Sequence, residues 1–278
     1  MRFFTALIAL FGIGWGAYWL DQHHPDLKSQ LIDAINTRTF QALETRFTES
    51  QIIEREHLKC RKEDAYASQP LSLSFRPYLL LEVKYTTPKS ETEEGVILWD
   101  LMDGEMVLDI KSWTKTHGFA DCINAGADKY EYQIVQTIAR SGGKADRDTL
   151  KNSLKIDASI FETALNRARK KKLIVQQGEV YRIHLRKPLM AVLPNTKMEY
   201  PFVIKNCKHT ERLQWKYSPN QIKKASEAAF GPDFAIRNAE VIFIPIYGIT
   251  IQGSDGACHT TYWNAFNGKR VSDSHAAH

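Results

Sequence analysis

Catalytic machinery is what this sequence has least of. The 9 histidines are scattered as His23, His24, His57, His117, His184, His209, His259, His275 and His278, and none has a carboxylate and a hydroxyl or thiol at a spacing that fixes a triad. Gly12, Gly14 and Gly16 fall in an apolar run. Gly142-Gly143-Lys144 lacks the upstream glycine and the following Ser or Thr of a phosphate loop. Cysteine is sparse, with 4 in 278 residues. Cys207, His209, Cys258 and His259 could be drawn as a tetrahedral metal set, but their spacing matches no familiar zinc pattern. No catalytic residue, cofactor or metal is therefore assigned, and the expectation is a protein that is not an enzyme.

Long hydrophobic runs are also nearly absent, which makes the one that exists informative. Residues 3–20 carry no charge and would span about 27 Å as a helix at about 1.5 Å per residue, enough for a bilayer. Arg2 precedes the run and Asp21, His23, His24 and Asp26 follow it. That charge asymmetry places the short N-terminus in the cytoplasm and the bulk of the chain outside, as a single-pass inner-membrane protein with a periplasmic body. A cleaved signal peptide is the rival, although no Ala-x-Ala site precedes a mature start. Beyond Pro25, the spacing of Leu27, Leu31, Ile32, Ile35 and Leu43 predicts a helical stalk over residues 21–45.

An oxidising compartment would allow the cysteines to pair. Cys60 and Cys122 bracket the strands expected in the first half, and Cys207 and Cys258 those in the second, so one disulfide in each half is the simplest of three connectivities. Four buried free thiols are the other reading.

With 43% hydrophobic and 25% charged residues, the composition is that of a globular chain. The charge is unevenly spread. Lys129 to Lys187 holds 14 Lys and Arg against 6 Asp and Glu, a local +8, whereas the whole chain is only +5 and the remainder −3. Tyr130, Ile134, Val135 and Ile138 recur with helical spacing up to Gly142-Gly143. Asp146 can cap a short helix through Leu150 and Leu154. Asp157 or Ser159 can cap a third with Ile160, Phe161, Ala164, Leu165 and Ala168. Leu173 to Leu185, turning at Gln177-Gly178, reads as a two-stranded ribbon.

Around this basic segment a unit recurs. Residues 99–107, Trp-Asp-Leu-Met-Asp-Gly-Glu-Met-Val, return at 263–271 as Trp-Asn-Ala-Phe-Asn-Gly-Lys-Arg-Val. Phe47 to Ile52 matches Tyr217 to Ile222, and Leu79 to Tyr85 matches Val241 to Tyr247. Each copy reads as helix, strand, turn, strand. Asp103-Gly104 and Asn267-Gly268 supply the positive φ that tight turns need. The fold class is accordingly α+β: an anchor at 1–20, the stalk at 21–45, a first unit at 46–126, the basic segment at 129–186, a linker at 187–202 interrupted by Pro188, Pro194 and Pro201, and a second unit at 203–273.

Two families are resembled. In the second unit, Tyr217-Ser218 opens a helix bearing Ala225, Ala228 and Ala229. It continues with Phe230-Gly231, Pro245-Ile246-Tyr247, Asp255-Gly256, Tyr262 and Asn267-Gly268-Lys269, and is similar to a PepSY-type domain. That likeness implies a small α+β module without catalysis, outside the cytoplasmic membrane. The first unit departs from it at Glu54, Arg55 and Glu56. Residues 129–186 resemble a winged-helix domain, whose third helix often enters the major groove of DNA.

The basic residues Arg167, Arg169, Lys170, Lys171 and Lys172, with Arg182, Arg186 and Lys187 on the ribbon, are the expected partner-binding set. At the early, base-reading positions of the third helix stand Ser159, Glu162, Thr163 and Asn166, so the cations sit at the wrong end for base readout. The function expected is a non-catalytic, membrane-anchored binding or assembly module that contacts an envelope protein or another anionic surface. The alternative is a membrane-tethered, DNA-binding transcription regulator with its winged helix in the cytoplasm.

Overall fold

The computed structural model describes residues 39–59, 66–68, 72–185, 187–198, 202–206, 211–252 and 258–271. The expected anchor, most of the expected stalk, Cys60, Arg186, Cys207, His209 and Asp255-Gly256 lie outside them. No helix among the described residues is long and apolar enough to cross a membrane.

The fold is α+β. In chain order the elements are β1 (Thr39–Leu43), α1 (Glu49–Lys59), β2 (Tyr66–Ser68), β3 (Ser72–Thr86), β4 (Thr92–Asp100), β5 (Met106–Asp109), β6 (Thr114–Lys115), α2 (Phe119–Asn124) and α3 (Lys129–Arg140). There follow β7 (Lys144–Asp146), α4 (Arg147–Leu154), α5 (Ala158–Lys170), β8 (Val175–Gln177), β9 (Val180–Arg182), β10 (Phe202–Asn206) and β11 (Glu211–Arg212). The last four are α6 (Pro219–Phe230), β12 (Ala235–Gln252), β13 (Cys258–Asn264) and β14 (Lys269–Val271). Leu43 lies in β1 rather than in a helix, which corrects the C-terminal end of the expected stalk: Phe40, Ala42 and Leu43 are buried in sheet packing.

Two long antiparallel strands, β3 and β12, form the middle of the main sheet, whose order is β10-β1-β12-β3-β4-β5-β6, with β13 and β14 continuing from β12. From Ser74 to Leu79 every residue of β3 is buried, so this stretch is covered on both faces. Beyond it, Leu81, Val83 and Tyr85 are buried while Glu82 and Thr86 are exposed, the period-two pattern of a strand with one wet face.

The two hairpins make matching hydrogen bonds. Leu101 N donates to Pro77 O and Ala265 N to Pro245 O. Gly104 N donates to Asp100 O and Gly268 N to Asn264 O, both glycines having positive φ, +75° and +64°. Met102 N donates to Asp100 Oδ1 and Phe266 N to Asn264 Oδ1, each at 2.8 Å. These bonds make Arg76 and Ile244 counterparts, and the two face each other across the β3–β12 ladder, where the local two-fold relation passes.

The same bonds correct the strand match read from the sequence. Leu79 and Val241 are cross-strand neighbours, not counterparts. Leu79 pairs with Trp99 and Tyr247 with Trp263, so Leu79 answers to Tyr247, a shift of six residues. A strand repeats every two residues, so several even registers look alike from hydrophobicity alone.

Each half lends its helix to the other. Lys216 N and Tyr217 N, just before α6, both donate to Leu101 O in the first hairpin. Arg46 N and Phe47 N, just before α1, donate to Ala265 O in the second. The short parallel pairings cross over in the same way, Ala42 with Phe243 and Arg212 with Phe75. Ile52 of α1 accordingly packs with Ile249 and Trp263. Both helices start alike: Thr48 N and Ser218 N each donate at 2.9 Å to a glutamine three residues on, Gln51 and Gln221.

The segment from Lys129 to Arg182 forms helices α3, α4 and α5 with a small sheet of order β7-β9-β8. Asp128 caps α3 by accepting from Tyr130 N and Glu131 N, and Asp146 caps α4 through Thr149 N. Phe119 is packed between Trp99 and Tyr132, with ring centroids 5.1 and 6.1 Å away. Gln136 Nε2 on α3 donates to Ala229 O on α6 at 3.2 Å. Residues 187–198 return over the first hairpin, where Thr196 N donates to Val96 O and Thr196 Oγ1 accepts from Leu98 N at 2.9 Å.

Candidate functional site

The basic run at the end of α5 divides into two groups. Arg167 forms an ion pair with Asp128 and lies 3.8 Å from Glu131, whose side chain is fully buried. Lys171 Nζ donates to Glu131 Oε2 at 2.7 Å and to Gly126 O at 2.8 Å. These two cations tie the end of α5 to the start of α3, where acidic side chains also favour the helix dipole. Both keep part of their side chains in solvent, but each already has an acidic partner on the neighbouring helix.

Arg169, Lys170 and Lys172 remain exposed, and among the described residues no acidic side chain pairs with them. With Asn166, Ile174, Val175 and Gln176 they line an open concavity of about 560 Å³ between α5 and β8. Lys172 turns the chain out of the helix with φ +59°, and Leu173 N closes the end by donating to Ala168 O. Arg182 on β9 is exposed and donates to Gln177 Oε1 at 2.7 Å, and Lys187 is exposed on the segment that follows. Earlier on α5, Glu162 is held by Arg147 of α4 in an ion pair.

A second charged group is brought together only by the fold. Arg76, with no exposed surface, places Nε 3.0 and 2.9 Å from the two oxygens of Asp100, and its Nη2 lies 2.9 Å from Asp100 Oδ2. Lys115 Nζ completes the group at 2.5 Å from Asp100 Oδ2 and 2.6 Å from Asp103 Oδ2. Burial alone would raise the Asp100 carboxyl, but Arg76 and Lys115 outweigh it and hold the group well below the usual carboxylate range. Burial raises the Tyr78 hydroxyl.

Asp103 moves the other way. Burial and then the neighbouring Asp100 charge push its carboxyl up to about 6, against the pull of Lys115 and Arg76. Its folded value lies above that of an unfolded aspartate, so its contribution to stability is fully present below about pH 4 and is lost as the pH rises to about 6. Asp103→Asn is expected to flatten this component in denaturant midpoints followed from about pH 4 to 7. An unchanged slope in the variant would contradict the assignment.

Glu105 is the other buried carboxylate that sequence reasoning passed over. Oε1 accepts from Gly118 N at 2.8 Å and Ala120 N at 3.1 Å, and Oε2 from Thr116 Oγ1 at 2.7 Å and Phe119 N at 3.3 Å. It thereby supplies the N-terminal bonds of α2 that Gly118, without a side chain, cannot.

The repeated tryptophans are core residues. Trp99 and Trp263 are both buried; Trp263 Nε1 donates to Glu56 Oε2 at 2.7 Å. Cys122 is a buried free thiol, its ionisation pushed up by burial, and Cys258 is an exposed free thiol. Their expected partners, Cys60 and Cys207, fall outside the described residues. His259 faces Arg270, and His184 lies 3.4 Å from Asp121. Among the described residues, no three His, Cys, Asp or Glu side chains gather as a metal site. No family model, no curated protein and no solved structure matches the chain.

Proposed function

We propose a non-catalytic binding or assembly protein of the cell envelope. Residues 3–20 anchor it in the inner membrane, the body lies outside the cytoplasm, and the contact surface is the basic end of α5 with the ribbon β8–β9. The observation that carries this reading is the unequal use of one cationic run. Arg167 and Lys171 are paired with Asp128 and Glu131, while Arg169, Lys170 and Lys172 line a concavity with no acidic partner among the described residues. Exposed like charges held together cost self-repulsion, which an anionic partner relieves.

The order helix, strand, helix, helix, strand, strand from α3 to β9, with β9 central, supports reading residues 129–186 as a winged-helix domain. The matching hairpin bonds support reading the flanking segments as two related, PepSY-like units. DNA recognition is less favoured: early on α5 stand Ser159, Glu162, Thr163 and Asn166 with no Arg or Lys among them, and Arg167, the first cation of the helix, is already paired with Asp128.

Two measurements test the proposal. A periplasm-active reporter fused to the C-terminus is expected to be active; an inactive fusion would remove the envelope location and favour a cytoplasmic regulator. On immobilised heparin, used as a polyanion, the full chain carrying R169E, K170E and K172E together is expected to elute at clearly lower salt than the parent. Equal elution would remove this surface as the contact site.

A further inference from the structure

β8 is the outer strand of the β7-β9-β8 sheet, and among the described residues no strand pairs with its far edge. A two-residue turn, Gly178-Glu179, joins it to β9, with Gly178 at φ +62°. In such a hairpin the residues flanking the turn exchange both backbone hydrogen bonds, and pairs alternate from there along the ladder. Gln177↔Val180 and Val175↔Arg182 are thus the bonded pairs, and Gln176↔Tyr181 is the pair between them. The N–H and C=O of Gln176 therefore point away from β9, toward the open edge.

All three residues of β8 are exposed, and Val175 keeps 56% of its surface in solvent although it is apolar. The edge borders the concavity lined by Arg169, Lys170 and Lys172. Nothing covers this edge among the described residues, and the cations beside it repel a second basic strand while attracting an acidic one.

We propose that β8 accepts an extended acidic peptide as a fourth strand. Main-chain bonds to Gln176 set the register. Side chains of one parity lie against the exposed Val175, and carboxylates reach Arg169, Lys170 and Lys172. The inference rests on the reading of this basic surface as the contact site and adds the class of partner and its mode of binding.

The probe is a labelled peptide alternating glutamate and valine, followed by fluorescence anisotropy with the full chain. Gln176→Pro removes the outward N–H but leaves the β8–β9 bonds in place, since proline is tolerated where an edge strand faces solvent. Gln176→Val keeps that N–H. The expected result is binding to the parent and to Q176V, and binding at least about tenfold weaker, or about 1.4 kcal/mol, to Q176P. Q176P should still elute from heparin like the parent, which shows that its basic surface is intact, and the peptide should slow amide exchange at Gln176.

Equal binding by Q176P overturns strand addition but leaves the basic contact surface standing. Binding of duplex DNA without binding of the peptide also overturns it. If R169E with K170E changes neither heparin elution nor peptide binding, the underlying reading of the surface falls as well.

Discussion

Replacing Arg76 by isoleucine is expected to lower the unfolding free energy by about 3–5 kcal/mol, the range for breaking a buried ion pair from one side. Asp100 has no exposed surface, so when the guanidinium is lost it cannot turn to water and is left with Lys115 alone, a cation that it shares with Asp103. The second hairpin shows how the position works without charge. Ile244 occupies the place of Arg76, and Asn264, accepting from Phe266 N, occupies that of Asp100. The double variant Arg76→Ile with Asp100→Asn is therefore expected to recover most of the loss, because Lys115 keeps its 2.6 Å pairing with Asp103. Guanidinium midpoints of the parent, single and double variants decide the matter. A double variant as unstable as the single one would show that the charged group does more than neutralise itself.

Glu105→Ala is expected to cost about 3 kcal/mol, because it leaves buried amide donors of α2 unsatisfied, each worth roughly 1–3 kcal/mol. Its counterpart in the second hairpin is Lys269, whose Nζ reaches Ser112 O at 2.9 Å on an exposed surface. Lys269→Ala should change stability by no more than about 0.5 kcal/mol. Faster amide exchange at Gly118, Phe119 and Ala120 would accompany the Glu105 change. Similar costs at both positions would argue against the capping role. Phe119 packs between Trp99 and Tyr132, so a loosened α2 should also shift tryptophan fluorescence.

How legible each part was in the sequence follows the range of the forces involved. Asp103-Gly104 and Asn267-Gly268 announced their turns because positive φ is a demand local to one residue. Asp128 and Asp146 likewise cap α3 and α4 within three residues of their targets. Asp157, an expected cap, precedes α5 without making a side-chain capping bond.

Non-local features were hidden. Leu43 fits a helical spacing with residues before it, yet its burial comes from β12 and from the turn at Phe266, some two hundred residues away along the chain. Arg76 reads as an ordinary strand cation until Asp100 is brought beneath it. One clue was available: Arg76 stands amid Phe75, Pro77, Tyr78 and Leu79, where a strand with a wet face would alternate. In the basic run, spacing could not tell Arg167 and Lys171 from Arg169, Lys170 and Lys172. The distinction comes from Asp128 and Glu131 on another helix.

The exchanged helices also set an order of events for a chain emerging from the ribosome or a translocon. The cover of β3 and β4, begun by α2 and α3, stays incomplete until α6 has been made, and α1 lacks Ile249 and Trp263 to pack on until β12 and β13 follow it. Contacts between α3, α4 and α5 close over short separations, so the inserted helices can assemble while their surroundings wait. The main sheet must then form late and almost at once, with its apolar strands exposed in the interval, and that is when the chain most needs a chaperone. Truncation before α6 would leave both halves incomplete, whereas truncation between α6 and β14 would leave the second half without its last strand.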